Sequence, residues 1–375
     1  MPVVGGVRLT GRAGGFSIGA LNIQTEDTPS AKAIATNFTA MRIKRNIFRR
    51  SNVGLMTTRR SPANAGRDAS YTFGADASLL FFKSINITSY YAQTSNPGVT
   101  KDASSYRGRF DYTDDRYGVS AEHMVIGRLF IPEVGYVRRP DFRRSFALVR
   151  FSPRPANNRR IRKLTWQASL DYVTDAAAAS LQNREAKATF QTEFQSSDRL
   201  SFDYTRDYEL VPARFTIAPG VVVPIGGYLY EAGRVSYVLG QQRKVSGTLS
   251  ASAGTLYHGT KSEVTYSGRW GVVPRFSMEP GVTLDWVSLP YGDFTAYLLS
   301  SRFTVTPSAR MLVSSLVQYN AGGNSMSSSI RLRWEYTGGS ELFVVYSDGR
   351  NTLATGFPAV VNRTVAIKAT RLFRF

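Results

Sequence analysis

Cationic side chains recur at alternate positions in short segments along the chain. In a β-strand, successive side chains point to opposite faces, so cations two residues apart share one face. A cationic face can attract anionic polymers or solutes, or it can be cross-linked by acids and simply stiffen the protein. Both interpretations stay open for the basic candidates, which are Arg107, Arg109, Lys187, Arg269, Arg331 and Arg333. The acids predicted on the same faces are Glu193, Asp203, Asp207, Glu209, Glu263 and Glu335.

A second group of charges lies in and just after the stretch Arg128–Pro140, RLFIPEVGYVRRP. Two carboxylates flanking a loop could serve as acid and base in glycan cleavage, but arginines beside them offer ion pairs instead. The stretch is apolar for a loop, so we predict that it folds inward as a constriction, with Glu133 paired to Arg138 or Arg139. Asp141 completes the set of constriction candidates.

Catalytic and metal-binding chemistry has little support in the composition. The chain has no cysteine and only two histidines, which excludes Cys-ligated metal sites and leaves little for a His-rich one. A hydrolase would need a nucleophile, a base and an orienting group. Ser262 and Glu263 near His258 are a weak match, and His123 is more simply a surface histidine. We predict no catalytic residue within this chain, no metal and no cofactor.

The net charge does not by itself indicate nucleic acid as a partner. Lys+Arg is 47 and Asp+Glu is 27 in 375 residues, a balance of +20. Nucleic-acid-binding domains concentrate their basic residues on one face or in a recognisable motif. Here the basic residues are spread along the whole chain and no such motif occurs, so we predict no nucleic-acid partner.

The segments that carry these charges alternate with period two. In Leu200–Leu210, the even positions are mostly apolar or aromatic and the odd positions are polar. Ser325–Tyr336 alternates in the same way, with serine, arginine and glutamate on one face. Such alternation predicts strands with one apolar and one polar face. No apolar run reaches the length of about 18 residues that a membrane-spanning helix needs.

The connections between these segments indicate an up-and-down meander. Short turns, such as those at residues 196–199 and 306–309, alternate with longer polar or Gly/Pro-rich stretches. We predict about 21 strands of about ten residues, typical of a transmembrane barrel. Their starts are expected near residues 3, 16, 38, 53, 71, 85, 104, 117, 142, 163, 184, 199, 228, 245, 261, 276, 293, 310, 325, 340 and 361. A soluble β-sandwich, propeller or solenoid is the alternative, although no fixed repeat occurs.

The C-terminal segment VNRTVAIKATRLFRF alternates apolar residues and ends in an aromatic side chain. It resembles the signal that outer-membrane assembly machinery recognises, so that machinery is a predicted partner. Phe373 and Phe375 would carry the signal. The alternative is a soluble edge strand that happens to end in phenylalanine.

Three segments resemble a known family: Gly11–Gln24, GRAGGFSIGALNIQ; Asn37–Arg60, NFTAMRIKRNIFRRSNVGLMTTRR; and Phe130–Phe142, FIPEVGYVRRPDF. Together they are similar to the barrel region of a bacterial outer-membrane family of unknown function. In that family, the barrel follows a periplasmic domain similar to family-9 carbohydrate-binding modules, which is absent here. The resemblance covers most of the chain and carries no established reaction.

The predicted architecture is therefore all-β: a single domain over residues 1–375, forming a large antiparallel up-and-down transmembrane β-barrel of about 20–22 strands in the bacterial outer membrane. The odd strand count, the lack of a signal peptide and the family resemblance together predict a missing first strand and a missing N-terminal periplasmic domain. The predicted function is translocation or surface anchoring, with outer-membrane lipid, and glycan or anionic solutes, as partners. The alternatives are a membrane-associated hydrolase acting on carbohydrate and a soluble basic β protein that binds a polyanion.

Overall fold

The chain is all-β in a computed structural model, which describes residues 2–29, 33–64, 66, 68–353 and 358–373. The described residues form 23 β-strands. Of these, 21 belong to one sheet, and two short strands, β13 (Phe215–Ala218) and β14 (Val221–Val223), form a separate hairpin. In the described part of the chain, no helix is long and apolar enough to cross a membrane.

The first of two compact units comprises Met1–Ser152 and Gln167–Ala186. Its first nine strands pair antiparallel in chain order, through eight successive pairings, giving an up-and-down meander. These strands are β1 (Val3–Ala13), β2 (Phe16–Thr25), β3 (Asn37–Ile47), β4 (Ser51–Ser61), β5 (Ser70–Phe81), β6 (Ile85–Ser95), β7 (Ser104–Thr113), β8 (Tyr117–Ile126) and β9 (Phe142–Phe151).

The second unit comprises Pro153–Trp166 and Lys187–Phe375. In this unit β12 (Arg199–Val211) pairs directly with β15 (Gly226–Leu239), and from β15 to β23 (Ala359–Thr370) each strand pairs antiparallel with the next. The remaining strands are β10 (Ile161–Thr174), β11 (Leu181–Phe194), β12 (Arg199–Val211), β13 (Phe215–Ala218), β14 (Val221–Val223), β15 (Gly226–Leu239), β16 (Val245–Leu256), β17 (Gly259–Val273), β18 (Phe276–Leu289), β19 (Gly292–Ser308), β20 (Met311–Asn320), β21 (Ser325–Thr337), β22 (Ser340–Asn351) and β23 (Ala359–Thr370).

On these strands the apolar face is exposed and the charged face is shielded, which is the reverse of a soluble sheet. On β12, Phe202 and Tyr204 are 44% and 50% exposed, whereas the side chain of Asp203 between them is only 15% exposed. On β7, Phe110 is exposed while Arg109 is half-buried. A sheet that is solvated on one side normally turns its apolar face to the core. We call the two sides the apolar face and the charged face.

The strand register continues the apolar face from strand to strand. In the second unit, one row of paired positions carries an apolar or aromatic residue on each of eight successive strands: Leu200, Tyr237, Leu249, Tyr266, Val282, Leu299, Tyr319 and Met326. A shift of one residue in any pair would move a whole strand's apolar set to the other face. The row is therefore a property of the register as well as of each strand.

A buried hydrophobic cluster covers one end of the second unit. The hairpin β13–β14 supplies Val221 and Val223, which pack with Val211, Tyr228, Tyr257, Val287 and Leu289 from neighbouring strand ends and turns. Gly292 has a φ of +136°, and a Cβ there would lie 3.0 Å from Val221. Glycine at this position thus permits both the backbone conformation and the close approach of the hairpin.

At the opposite end of this unit, the carboxylate of Asp198 joins two turns. It accepts hydrogen bonds from the amide of Gly240 at 2.8 Å and from the guanidinium of Arg243 at 2.5 Å. The hydroxyls of Ser196 and Tyr237 also donate to it. These donors lower the pKa of Asp198 to about 2, with the Gly240 amide as the largest cause.

The predicted all-β, up-and-down fold and its strand number are confirmed. Every strand of the 21-stranded sheet begins within three residues of its expected start. The strict alternation of short and long connections is wrong. Residues 257–258 and 290–291 are two-residue turns on the long-loop side, and residues 152–160 form a longer connection on the other side. Tyr257 and Tyr291 lie in those turns, where Tyr257 belongs to the hairpin cluster and Tyr291 packs against it.

Candidate functional site

The charged face of the first unit carries its densest group of ionisable side chains on β7, β8 and β9. Arg107 and Arg109 are both on the charged face of β7, and Glu122 pairs in register with Arg109. Arg144 of β9 lies opposite Met124, two residues from Glu122 on the same face. Alternation and register thus bring three arginines around one glutamate.

The carboxylate of Glu122 is the centre of this network, and its side chain is only 3% exposed. It contacts Arg107 Nη2 at 2.5 Å, Arg144 Nη1 at 3.0 Å and Arg109 Nη1 at 3.4 Å. Three guanidinium groups around one buried acid would leave excess positive charge. Two more carboxylates complete the arrangement.

Asp111 and Asp171 supply the missing negative charge at the two sides of the network. Arg109 Nε donates to Asp111 Oδ2 at 2.7 Å, and Arg144 Nη2 donates to Asp171 Oδ2 at 2.6 Å. The six groups comprise three cations and three carboxylates, so the network is formally neutral. Buried ion pairs with satisfied hydrogen bonds fix geometry more than they add net stability.

A similar pair crosses the charged face of β4. Arg42 on β3 and Asp76 on β5 form two hydrogen bonds of 2.8 Å each. The strand between them presents Gly54, where a Cβ would lie 2.8 Å from the Asp76 carboxylate. Glycine therefore opens the space through which the two side chains meet.

The predicted constriction loop folds over the charged face, but its key contact differs from the expectation. Glu133, with a side chain 4% exposed, approaches Arg60 Nη1 at 3.5 Å and accepts the amide of Asn64 at 2.9 and 3.0 Å. The pairing of Glu133 with Arg138 or Arg139 is therefore wrong. Arg60 shares the charged face of β4 with Gly54, since both occupy even positions. Alternation shows the faces of strands, but it carries no information on contacts between loops.

The rest of the loop is fastened at separate points. Asn96 Nδ2 donates to the carbonyl of Ile131 at 2.9 Å, and Phe130 is buried. Arg139 donates a hydrogen bond to Gln182, while Asp141 accepts the amide of Ala176 at 3.3 Å. Glu133, Arg139 and Asp141 are thus held by different partners instead of forming one cluster, and Arg138 is exposed.

The cationic candidates of the second unit are compensated less completely. Lys187 Nζ lies 3.4 Å from Asp203 Oδ1, and Arg333 pairs with Glu341. Among the residues that the structure describes, Arg269 and Arg331 have no ion-pair partner, and both are exposed on their strands. These two guanidinium groups are available to an external anion.

The two histidines occupy unremarkable surroundings for a hydrolase. His123 is exposed on the apolar face, where its Nδ1 lies 2.9 Å from Ser145 Oγ. The ring of His258 packs 4.9 Å from that of Tyr228. Glu263 pairs with Lys261 at 3.0 Å. In the described part of the chain, no group of three or more His, Cys, Asp or Glu side chains has a metal-binding arrangement.

Residues 371–373 lie beyond the last strand. Phe373 is 63% exposed, and Arg371 stacks over its ring with Cζ 5.0 Å from the centroid. Phe375 lies outside the described residues. Their predicted role in assembly stays a prediction.

Several charged-face residues were not singled out from the sequence. Glu122, Arg144 and Asp171 form the neutral network, and Lys261 lies 3.0 Å from both Glu263 and Asp285. Strand parity alone marks each of them as facing the same side as the predicted cations. Choosing these residues required the register, which a single sequence does not provide.

Comparison with known proteins identifies no family for this chain. No family model matches it, and no curated protein matches it. A solved structure similar to it is the ferric-catecholate import receptor Fiu from E. coli K12 in its open form, at a TM-score of 0.37 and 7% identity over 96% of this chain and 71% of that one. A similarity of this size assigns neither family nor ligand.

Proposed function

We propose that this chain is an integral β-barrel of the bacterial outer membrane that serves as a translocation or surface-anchoring module. The observation that carries the proposal is the exposure pattern of the strands, with aromatic and aliphatic side chains outside and charged side chains shielded. Exposed apolar area of this extent would drive aggregation in water. In a bilayer, the same area contacts lipid.

The backbone arrangement supports the same proposal. Inside a bilayer, each N–H and C=O group needs a partner within the protein, and the antiparallel pairing of successive strands supplies such partners along the large sheet. Strands of 10 to 17 residues form the large sheet, long enough for a tilted transmembrane strand of about 9–11 residues. Closure would bring the charged face inside as the wall of a lumen.

The position of the 127–141 loop favours a controlled passage. Glu133 ties this loop to Arg60 on the charged face, which would be the lumen side of a closed barrel. Glycan or anionic solutes are the proposed cargo, because the chain has an excess of cations and Arg269 and Arg331 are exposed. Lipid on the apolar face and the assembly machinery at Phe373 are the other proposed partners, and the resemblance to the carbohydrate-binding-module-associated barrels stays a prediction.

Reconstitution of the purified chain tests the proposal. The protein should stay dispersed only in detergent or lipid and should insert into vesicles in a protease-resistant form. Vesicles that contain it should swell in a small neutral sugar faster than empty vesicles if the module translocates solutes. Insertion without swelling would indicate surface anchoring.

Two outcomes would favour the alternative functions. A monodisperse, folded protein in plain buffer that binds a polyanion would replace the membrane proposal with the soluble one. Turnover of a glycan by the full chain, lost in His258→Ala, would support the hydrolase.

A further inference from the structure

A cavity in the second unit is lined by three cationic side chains. It lies on the charged face at the end that carries the turns at 240–244 and 274–275, and its volume is about 530 Å³. The cations are Lys244, Arg269 and Arg275, and no carboxylate occurs among the described residues of its wall. Three hydroxyls complete the polar lining: Ser277, Thr304 and Thr306. We call this site the Lys244–Arg269–Arg275 pocket.

The backbone holds the three cations on adjoining strand ends. The amide of Gly271 donates to the carbonyl of Lys244 at 2.7 Å, and the amide of Thr306 donates to that of Arg275 at 2.8 Å. Arg275 Nη1 also donates to the carbonyl of Pro307 at 3.3 Å. Arg269 occupies a regular position of β17, paired with Ser246 of β16. The pocket is therefore built from sheet and tight turns, not from a long loop.

The cations of the pocket outnumber the acids near them, since no carboxylate is among the described residues of its wall. Among the described residues, none of its three cations has an ion pair. Arg269 also lines a neighbouring cavity with Glu279, but Glu279 approaches Arg302 at 4.0 Å instead. Three cations brought together without an acid repel one another, and an anion between them relieves that repulsion.

We propose that the Lys244–Arg269–Arg275 pocket binds a phosphorylated solute through its phosphate group. A phosphate monoester carries about −1.5 to −2 charges and three acceptor oxygens, which suits three cations better than a single carboxylate does. Arginine forms paired hydrogen bonds to phosphate, and lysine adds a point charge. The pocket also falls within the size range of small-ligand sites, roughly 300–1,000 Å³. This inference deepens the proposed function and rests on it only for the route by which the solute arrives.

Calorimetric titration of the purified full chain in a non-ionic detergent tests the pocket. Pyrophosphate and inorganic phosphate are the ligands, and acetate at the same ionic strength is the control anion. We expect saturable binding of pyrophosphate, weakened about tenfold or more by Arg269→Gln, because one charge-assisted pair of hydrogen bonds is lost. Lys244→Gln should weaken binding in the same direction. Arg310→Gln removes an exposed cation in the turn between β19 and β20, outside the pocket wall, and should change affinity less than about twofold.

The result that overturns the pocket is equal binding of acetate and pyrophosphate, or an equal loss in Arg269→Gln and Arg310→Gln. Circular dichroism checks that each variant retains its β-sheet. Vesicle insertion is measured on the same samples. Insertion without pyrophosphate binding refutes the pocket alone, whereas pyrophosphate binding without insertion refutes the membrane proposal and leaves the pocket in place.

Discussion

The arginines on the charged face have different ion-pair partners in the two units. In the first unit, Arg107, Arg109 and Arg144 converge on Glu122, and two aspartates complete a neutral network. In the second unit, Arg269 and Arg331 are exposed on the charged face without an ion pair among the described residues. The first arrangement fixes neighbouring strands to one another. The second leaves charge for a ligand.

Each unit also secures its ends by different means. In the first unit, the 127–141 loop is tied across the charged face by Glu133. The second unit instead has the hairpin cluster at one end and the Asp198 turn contacts at the other. The Asp198 contacts hold the 240–244 turn, which supplies Lys244 to the pocket around Arg269.

The largest expected effect is at the centre of the neutral network. Glu122→Gln leaves three guanidinium groups around an uncharged side chain, and we expect a loss of about 3–5 kcal/mol in the free energy of unfolding. Urea unfolding of the protein in lipid vesicles measures it. Glu341→Gln is the matched control in the second unit: its partner Arg333 has a side chain 57% exposed, so the loss should stay below about 1 kcal/mol. Equal losses would remove the contrast between the two faces.

If the units differ only on their charged faces, their apolar faces should respond alike. Phe110→Arg in the first unit and Phe202→Arg in the second should each destabilise insertion by about 2–4 kcal/mol when the site is near the bilayer midplane. Leu332→Arg should do the same, whereas Ser329→Arg on the charged face of that strand should be tolerated. The folding yield of each variant in vesicles measures this effect. Equal tolerance of arginine at all four positions would contradict the assignment of the two faces.

A smaller effect is expected at the loop. Glu133→Gln removes the charge that Arg60 and the Asn64 amide contact, and we expect local opening to become easier by about 1–3 kcal/mol. Limited proteolysis of the reconstituted protein reports it, with faster cleavage in both residues 127–141 and residues 61–70. Arg138→Gln is the control, since Arg138 is exposed. Unchanged cleavage in Glu133→Gln would show that the contact does not hold the loop.

The smallest effect is the pH dependence of the second unit's turns. The pKa of Asp198 is lowered from 3.8 to about 2, so its stabilising contribution is fully present above the unfolded value and is lost as the pH falls towards the folded value. Asp198→Asn should flatten the fall in stability between pH 4 and about pH 2. Unfolding midpoints across that range measure it. An unchanged pH profile in the variant would contradict the role given to this carboxylate.

The positions of the strands and the orientation of their faces could be predicted because the alternation of apolar and polar residues lies within each strand. Alternation over Leu200–Leu210 marks Phe202 as apolar-face and Asp203 as charged-face without any neighbouring strand. Partners could not be predicted, because Glu122 reaches Arg144 only through the register of β8 with β9. A single sequence does not fix that register.

The contacts of loops and turns are the part of the structure that the sequence predicts least well. Glu133 contacts Arg60 across a sequence separation that no local pattern encodes, whereas the sequence alone favours the nearby arginines. The hairpin β13–β14 was hidden in a Gly/Pro-rich stretch, since its strands are only four and three residues long. The pocket around Arg269 likewise combines residues from three places in the chain.

The alternation of environments along one strand tests the central claim most directly. The chain has no cysteine, so single cysteines at successive positions from 200 to 208 on β12 can carry a nitroxide label without background. In vesicles, labels at Phe202 and Tyr204 should be relaxed strongly by oxygen, which partitions into lipid. Labels at Ser201, Asp203 and Thr205 should respond to a water-soluble nickel complex instead. Equal access of the nickel complex to both sets would contradict the account of an apolar face in lipid and a charged face turned away from it.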